Sequence, residues 1–225
     1  MNLSSLVAKL KAKYGDPERP PTTDPWEMIV WENVVYLSDD EARGSAFNDL
    51  KRTVGLKPRD IRACPREKLV GIAKGRGILA DNCADKLKDA AEIAMEEWGG
   101  DLRPILELPL REAKKALRAF PGIGDPGAEK ILLFTGTHPI LALESNGLRV
   151  LVRMGFGKEQ RNYAATYKSV REDVEAEGPR DIPWLIRAHQ LLRGHGQETC
   201  KRSDPLCEEC PLIRECAFYN TRRGR

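Results

Sequence analysis

The sequence predicts an all-α protein. Apolar residues recur at three- and four-residue spacing through most of the chain, the signature of helices with one buried face. Gly, Pro, Asp or Asn stands at most of the joins between those stretches. No segment alternates apolar and polar residues convincingly. The apolar run Ile140–Leu143 is too short to decide between strand and helix. At 225 residues, 41% hydrophobic and 32% charged, the chain can bury a core of its own and is not of disordered composition.

Taken in order, the first twenty-odd residues end in the proline-rich run ERPPTTDP. That run reads as an extended connection into the main body. Helical periodicity then marks Trp26–Leu37, Ala42–Val54, Ala84–Trp98 and Arg111–Phe120. It resumes in Glu129–Phe134, Gly147–Met154, Tyr163–Val174 and Ile182–Leu192. There is no internal repeat and no low-complexity linker. The opening MNLSSLVAKLKAKYG lacks the continuous apolar stretch of a secretory leader, and no apolar run approaches a membrane span. The expected compartment is therefore a reducing cytoplasm, with association to the nucleoid in a bacterium or archaeon. The net charge of +3 is weak for a nucleic-acid binder. Basic residues do gather in the tail TRRGR and at Lys201 and Arg202, while 172–177 is acidic.

Cys200, Cys207, Cys210 and Cys216 fall in a C-x6-C-x2-C-x5-C pattern on a stretch broken by Pro205 and Pro211. Four thiolates so close in sequence can converge on one metal centre, either zinc or an iron–sulfur cluster. Zinc ribbons pair two short C-x2-C knuckles across a longer spacer. With a single C-x2-C flanked by wider gaps, the spacing favours a [4Fe-4S] cluster, with zinc as the alternative and no metal as the third reading. Cys64 and Cys83 lie far away and read as ordinary small core or near-surface residues. A disulfide framework is disfavoured by the chain's length and its expected compartment.

The segment LRAFPGIGDPGAEKILLF, residues 117–134, reads as a helix ending at Phe120, a tight Pro121-Gly122-Ile123-Gly124 turn, and a new helix. Asp125 is placed as N-cap and Pro126 at the first helical position. Ile123 is expected to be buried. Gly122 and Gly124 leave backbone N–H groups free beside a helix N-terminus, an arrangement that suits a nucleic-acid phosphate. The same residues also fit a plain structural turn.

PGIG between two helices, followed by ALESNGLRV and then the cysteine pattern, resembles the endonuclease III branch of the helix-hairpin-helix DNA glycosylases. The resemblance runs from about Asp24 to Cys216. It implies a two-lobed all-α fold: a six-helix lobe over 23–134 carries the hairpin, and 1–22 plus 135–225 form a second lobe ending in the cluster loop. It implies a monomer acting on double-stranded DNA that holds a lesion, mismatch or abasic site. The DNA would lie across the cleft between the lobes with the target nucleotide flipped out. Gly122, Ile123 and Gly124 would contact DNA, as would Lys201 and Arg202 on the cluster loop.

Two departures from that family bear on chemistry. Where it places an aspartate in a V-D-T-H-like context, this chain reads Leu143-Glu144-Ser145-Asn146. Glu144 therefore stands for the carboxylate that stabilises positive charge on the sugar or aligns water, although a helix-dipole role alone fits the same residue. Bifunctional members carry a lysine two residues after the second hairpin glycine. Here that residue is Pro126, which has no amine, so the lysine-dependent lyase route is closed there. Lys130, about one turn on, reads as a solvated helix lysine.

The adenine-removing branch has a glutamate in an S-E-V-M-L-Q-Q-like context, matched here by Glu32 in WENVVYL. A carboxyl in so apolar a stretch is expected to be desolvated and to act as general acid, whereas on an exposed helix face it would have no such part. The paired glutamines are replaced by Tyr36 and Leu37, candidates for a base-flip wedge, with Tyr36 as plain core the other reading. Together these features predict a monofunctional DNA glycosylase. The alternative is a DNA-binding or damage-recognition protein that keeps hairpin and cluster but no longer cuts.

Overall fold

The computed structural model describes residues 1–18 and 21–223, and among them the chain is helical with no β-strand. The helices are α1 (Leu3–Tyr14), α2 (Pro25–Asn33), α3 (Asp40–Thr53), α4 (Pro58–Ala63), α5 (Arg66–Ala73), α6 (Ala80–Trp98) and α7 (Arg103–Leu106). They continue with α8 (Leu110–Leu117), α9 (Asp125–Phe134), α10 (Ser145–Met154), α11 (Tyr163–Glu177), α12 (Ile182–Glu198) and α13 (Ala217–Arg223). Short 3-10 turns occupy Cys207–Glu209 and Ile213–Glu215. The chain divides into two compact units, one of Met1–Arg19 with His138–Arg225 and one of Pro20–Thr137.

In the unit Pro20–Thr137, α6 is the hub, with α2, α4 and α5 packed on it. Its buried face is Cys83, Ala84, Leu87, Ala90, Ala91 and Ala94. Small residues at that spacing let three helices approach one axis closely. Cys64 and Cys83 are free and buried, and burial pushes both thiols up, which keeps them unreactive. The pair α8–α9 forms the hairpin, and α9 packs on α2.

In the other unit α10 lies along α12, and α1 covers α12 as well. Gly196 makes the α10–α12 approach, since a Cβ there would stand 2.7 Å from the Asn146 carbonyl oxygen. The Asn2 side chain caps α1 by accepting from Ser5 N–H at 2.9 Å. Leu3, Leu6, Val7 and Leu10 are buried along one stripe of α1. Each such side chain contributes about 1.5–3 kcal/mol on leaving water. The start of the chain is therefore a packed helix, α1, which the helical stretches expected from sequence did not include. Arg19 and Pro20 of the proline-rich run, and Gly224 and Arg225 of the basic tail, lie outside the described residues.

Other boundaries also move. The helix expected over Trp26–Leu37 stops at Asn33. The Asn33 amide donates back to the Ile29 carbonyl at 3.0 Å and across to the Pro121 carbonyl at 2.9 Å. Tyr36 leaves the helix to form a β-bridge with Ile78. The helix expected to end at Phe120 ends at Leu117, and Ala119 and Phe120 follow in tighter three-residue turns. The helix expected over Glu129–Phe134 already begins at Asp125, and α12 runs on past Leu192 to Glu198. Ile140–Leu143 is buried but belongs to no regular element.

Candidate functional site

The hairpin turn is built as a tight reversal. Gly122 has φ +75°, and a Cβ there would stand 2.4 Å from Asn33 Oδ1, so both the backbone and the close approach of α2 require glycine. Ile123 is buried at 6% exposure, while Gly122 and Gly124 face solvent. Gly124, rather than Asp125, is the N-cap residue; its extended backbone hands the chain to α9, with Asp125 and Pro126 inside the first turn. Lys114 on α8 bonds Asp125 at 3.1 Å and also pairs with Glu129, which is fully buried. Because this ammonium neutralises the buried carboxylate, it locks the two hairpin helices together.

Behind the hairpin, Lys130 is not a solvated lysine. Its ammonium forms an ion pair with Glu32, and both side chains are largely withdrawn from water. A cation at hydrogen-bond distance favours the ionised carboxylate. That opposes the expected desolvated acid at Glu32, which needs a protonated carboxyl.

Tyr36 and Leu37 do not sit in a core. They are 45% and 69% exposed, and across the β-bridge Ile78 and Leu79 are 50% and 58% exposed. Leu37 has φ 48° and Leu79 φ 56°, left-handed conformations that cost a non-glycine residue about 1 kcal/mol or more each. Gly77 permits the pairing, since its Cβ would stand 2.5 Å from the Tyr36 carbonyl oxygen. Two short loops thus present four large apolar side chains to solvent. Ile78 and Leu79 were not singled out from sequence; an apolar pair directly after KGRG was the available signal.

In the unit that ends at residue 225, Glu144 is the N-cap of α10. Gly147 N–H donates to its Oε1 at 2.6 Å and the Asn146 amide to its Oε2 at 2.8 Å. Two N–H donors and the N-cap position fix the orientation of this half-buried side chain. The approach to it is fixed too: His189 Nδ1 lies 2.7 Å from the Ala142 carbonyl, and the Tyr163 hydroxyl donates to the Leu143 carbonyl at 3.3 Å. Arg149 extends the array by donating to Asn146 Oδ1 at 2.8 Å, the Gly196 carbonyl at 2.6 Å and the Cys200 carbonyl at 2.9 Å. One guanidinium therefore joins the bed of Glu144 to the start of the cysteine loop.

Cys200, Cys207, Cys210 and Cys216 all line one pocket, together with Arg153, Pro205, Leu206, Ile213 and Phe218. Among the described residues no three His, Cys, Asp or Glu side chains form a closed single-ion site. Burial pushes Cys210 up to about 11, and the other three cysteines push it further the same way. Arg153 donates to Cys200 Sγ at 3.2 Å and to the Lys201 and Arg202 carbonyls at 2.7 and 3.2 Å. With their backbone pinned, Lys201 and Arg202 expose their side chains. Four thiols thus share one pocket, with a cation against one sulfur. His195 also belongs to this region and was not singled out from sequence. It is 1% exposed, touches Cys210, and burial lowers it to about 4.

No family model matches the sequence. Endonuclease III of Sulfolobus acidocaldarius is 27% identical over 225 residues, covering 96% of each chain. Thymine-DNA glycosylase of Aeropyrum pernix is 23% identical over 209 residues, covering 92% of this chain and 89% of that one. Among solved structures, a non-covalent Endonuclease III–DNA complex is similar at a TM-score of 0.78 and 20% identity, covering 99% of this chain and 97% of that chain. None of the described helices is long and apolar enough to cross a membrane. Full-length similarity to endonuclease III and the shared all-α fold agree with the PGIG hairpin and the cysteine pattern, and the chain is similar throughout its length to the endonuclease III-like helix-hairpin-helix DNA glycosylases.

Proposed function

We propose that this chain is a base-excision DNA glycosylase that hydrolyses the N-glycosidic bond of a flipped base and leaves an abasic site, without lysine-dependent strand cleavage. The observation that carries the reading is Glu144. It is an acceptor-only anion oriented by two donors at a helix N-terminus, in the sequence position of the family's catalytic carboxylate. Rupture of the glycosidic bond leaves positive charge on the sugar, which a fixed carboxylate stabilises without reorganising. The same carboxylate can orient the attacking water.

Each remaining part has a bounded role. The exposed Gly122 and Gly124 backbone and the Lys201 and Arg202 side chains take phosphates, contacts that position duplex without reading it. Tyr36, Leu37, Ile78 and Leu79 form the wedge that enters the base stack; the left-handed backbone at Leu37 and Leu79 is the strain expected of loops held ready for insertion. Glu32 serves as an anion paired with Lys130 and is not the proton donor. Cys200, Cys207, Cys210 and Cys216 would hold a [4Fe-4S] cluster, with zinc the less favoured occupant. When bound, such a cluster supplies a covalent crosslink of the loop. Arg153 and Arg149 tie that loop to α10.

Borohydride trapping tests the hydrolytic assignment. With Pro126 at the lysine position and Lys130 held by Glu32, no covalent protein–DNA adduct is expected on any processed duplex. A strong adduct that disappears in Lys130→Ala would overturn the assignment and make Lys130 a nucleophile.

A further inference from the structure

His195 sits near the end of α12 with both ring nitrogens engaged. Nε2 lies 3.5 Å from Cys210 Sγ, and Nδ1 lies 2.7 Å from the Tyr14 hydroxyl of α1. The Tyr14 hydroxyl in turn lies 2.8 Å from Thr199 Oγ1. Donor and acceptor roles follow from chemistry at one end of this chain. A metal-bound thiolate can only accept. Nε2 must then carry the imidazole proton, which leaves Nδ1 bare. A bare Nδ1 can only accept, so the Tyr14 hydroxyl donates to it. The Tyr14 oxygen is then open to the Thr199 hydroxyl as donor. All three bonds run one way, towards the sulfur.

We propose that Thr199, Tyr14 and His195 form a one-way hydrogen-bond chain that delivers an N–H to the Cys210 sulfur, holding it as a ligand and raising the reduction potential of the bound cluster. The inference rests on the cysteine-loop reading above and adds positioning residues from two helices outside that loop. An N–H donor on a ligand sulfur withdraws negative charge from it, which favours the more electron-rich state of the cluster. Tyr14 is the selector. Without its hydroxyl the imidazole is free to place its proton on Nδ1 and turn a lone pair on the sulfur.

The test is made on the full-length protein with its native metal, comparing wild type with Tyr14→Phe, Thr199→Val, His195→Gln and His195→Ala. Tyr14→Phe keeps the ring and removes only the hydroxyl. It is expected to lower the cluster potential in film voltammetry and to speed metal release to a chelator about tenfold, in line with the loss of an outer-sphere partner. Thr199→Val should give a smaller shift of the same sign. His195→Gln, which retains an N–H for the sulfur, should lie nearer wild type than His195→Ala. Unchanged potential and release rate in a folded, fully loaded Tyr14→Phe protein would overturn the proposal. Iron and sulfide analysis of the wild type separates the two layers. If zinc is found, the cluster reading fails while the release assay still decides the role of Tyr14. If no metal is found, both fall.

Discussion

Glu144→Gln is expected to reduce single-turnover base excision by about 10²- to 10³-fold, the cost of removing a pre-organised charge from a developing cation. The substitution keeps an oxygen to accept from Gly147 N–H, so α10 stays capped. The loss of charge at the helix N-terminus should lower stability by only about 0.5–1 kcal/mol. Thermal melting read beside the excision rate separates the two effects. Glu32→Gln is the contrast: Lys130 holds Glu32 as an anion, so no proton donor is lost, and excision should change by less than about tenfold, the factor for about 1.4 kcal/mol. A thousandfold loss in Glu32→Gln with full activity in Glu144→Gln would exchange their roles.

Metal removal is expected to have the largest effect on stability. The loop from Cys200 to Cys216 has two single-turn 3-10 segments, and Leu212 and Cys216 are its buried apolar residues. So little core cannot offset the entropy of ordering the loop, at about 1–2 kcal/mol per residue; on the proposed reading metal–thiolate bonds supply the difference. Stripping the metal should release the loop and cost several kcal/mol. For a chain of this length that lowers Tm by on the order of 10 °C. Trypsin should then cut at Lys201 and Arg202, whose carbonyls are otherwise held by Arg153. An apo-protein with the wild-type melting curve and no new cleavage would show that the loop folds by itself.

What the sequence made legible was chemistry carried on short spacings. The cysteine pattern, the PGIG turn and the buried Ile123 depend on residues a few positions apart, and all four cysteines line one cavity. What it hid depends on distant partners. Nothing local in MIVWENVVYL marks a helix end at Asn33, where the side chain bonds the Pro121 carbonyl, 88 residues away. The same stretch does not reveal Lys130, the ion-pair partner of Glu32. His195 lies five residues before Cys200, yet its part appears only when α1 brings Tyr14 against it. The first helix was legible, with Asn2 as cap and Leu3, Leu6, Val7 and Leu10 at helical spacing, but the proline-rich run that follows masks it.

The central claim, hydrolytic excision of a base, is tested most directly by one assay. Metal-loaded protein is incubated with labelled duplexes carrying uracil, thymine mismatches, hypoxanthine, oxidised pyrimidines, oxidised guanine, alkylated purines, and adenine opposite oxidised guanine. Each reaction is then divided and one half treated with alkali. The account predicts strand cleavage on at least one duplex in the alkali-treated half alone, lost in Glu144→Gln. Cleavage without alkali would contradict the hydrolytic mechanism. Tight binding with no cleavage on any duplex would instead make the chain a damage-binding protein.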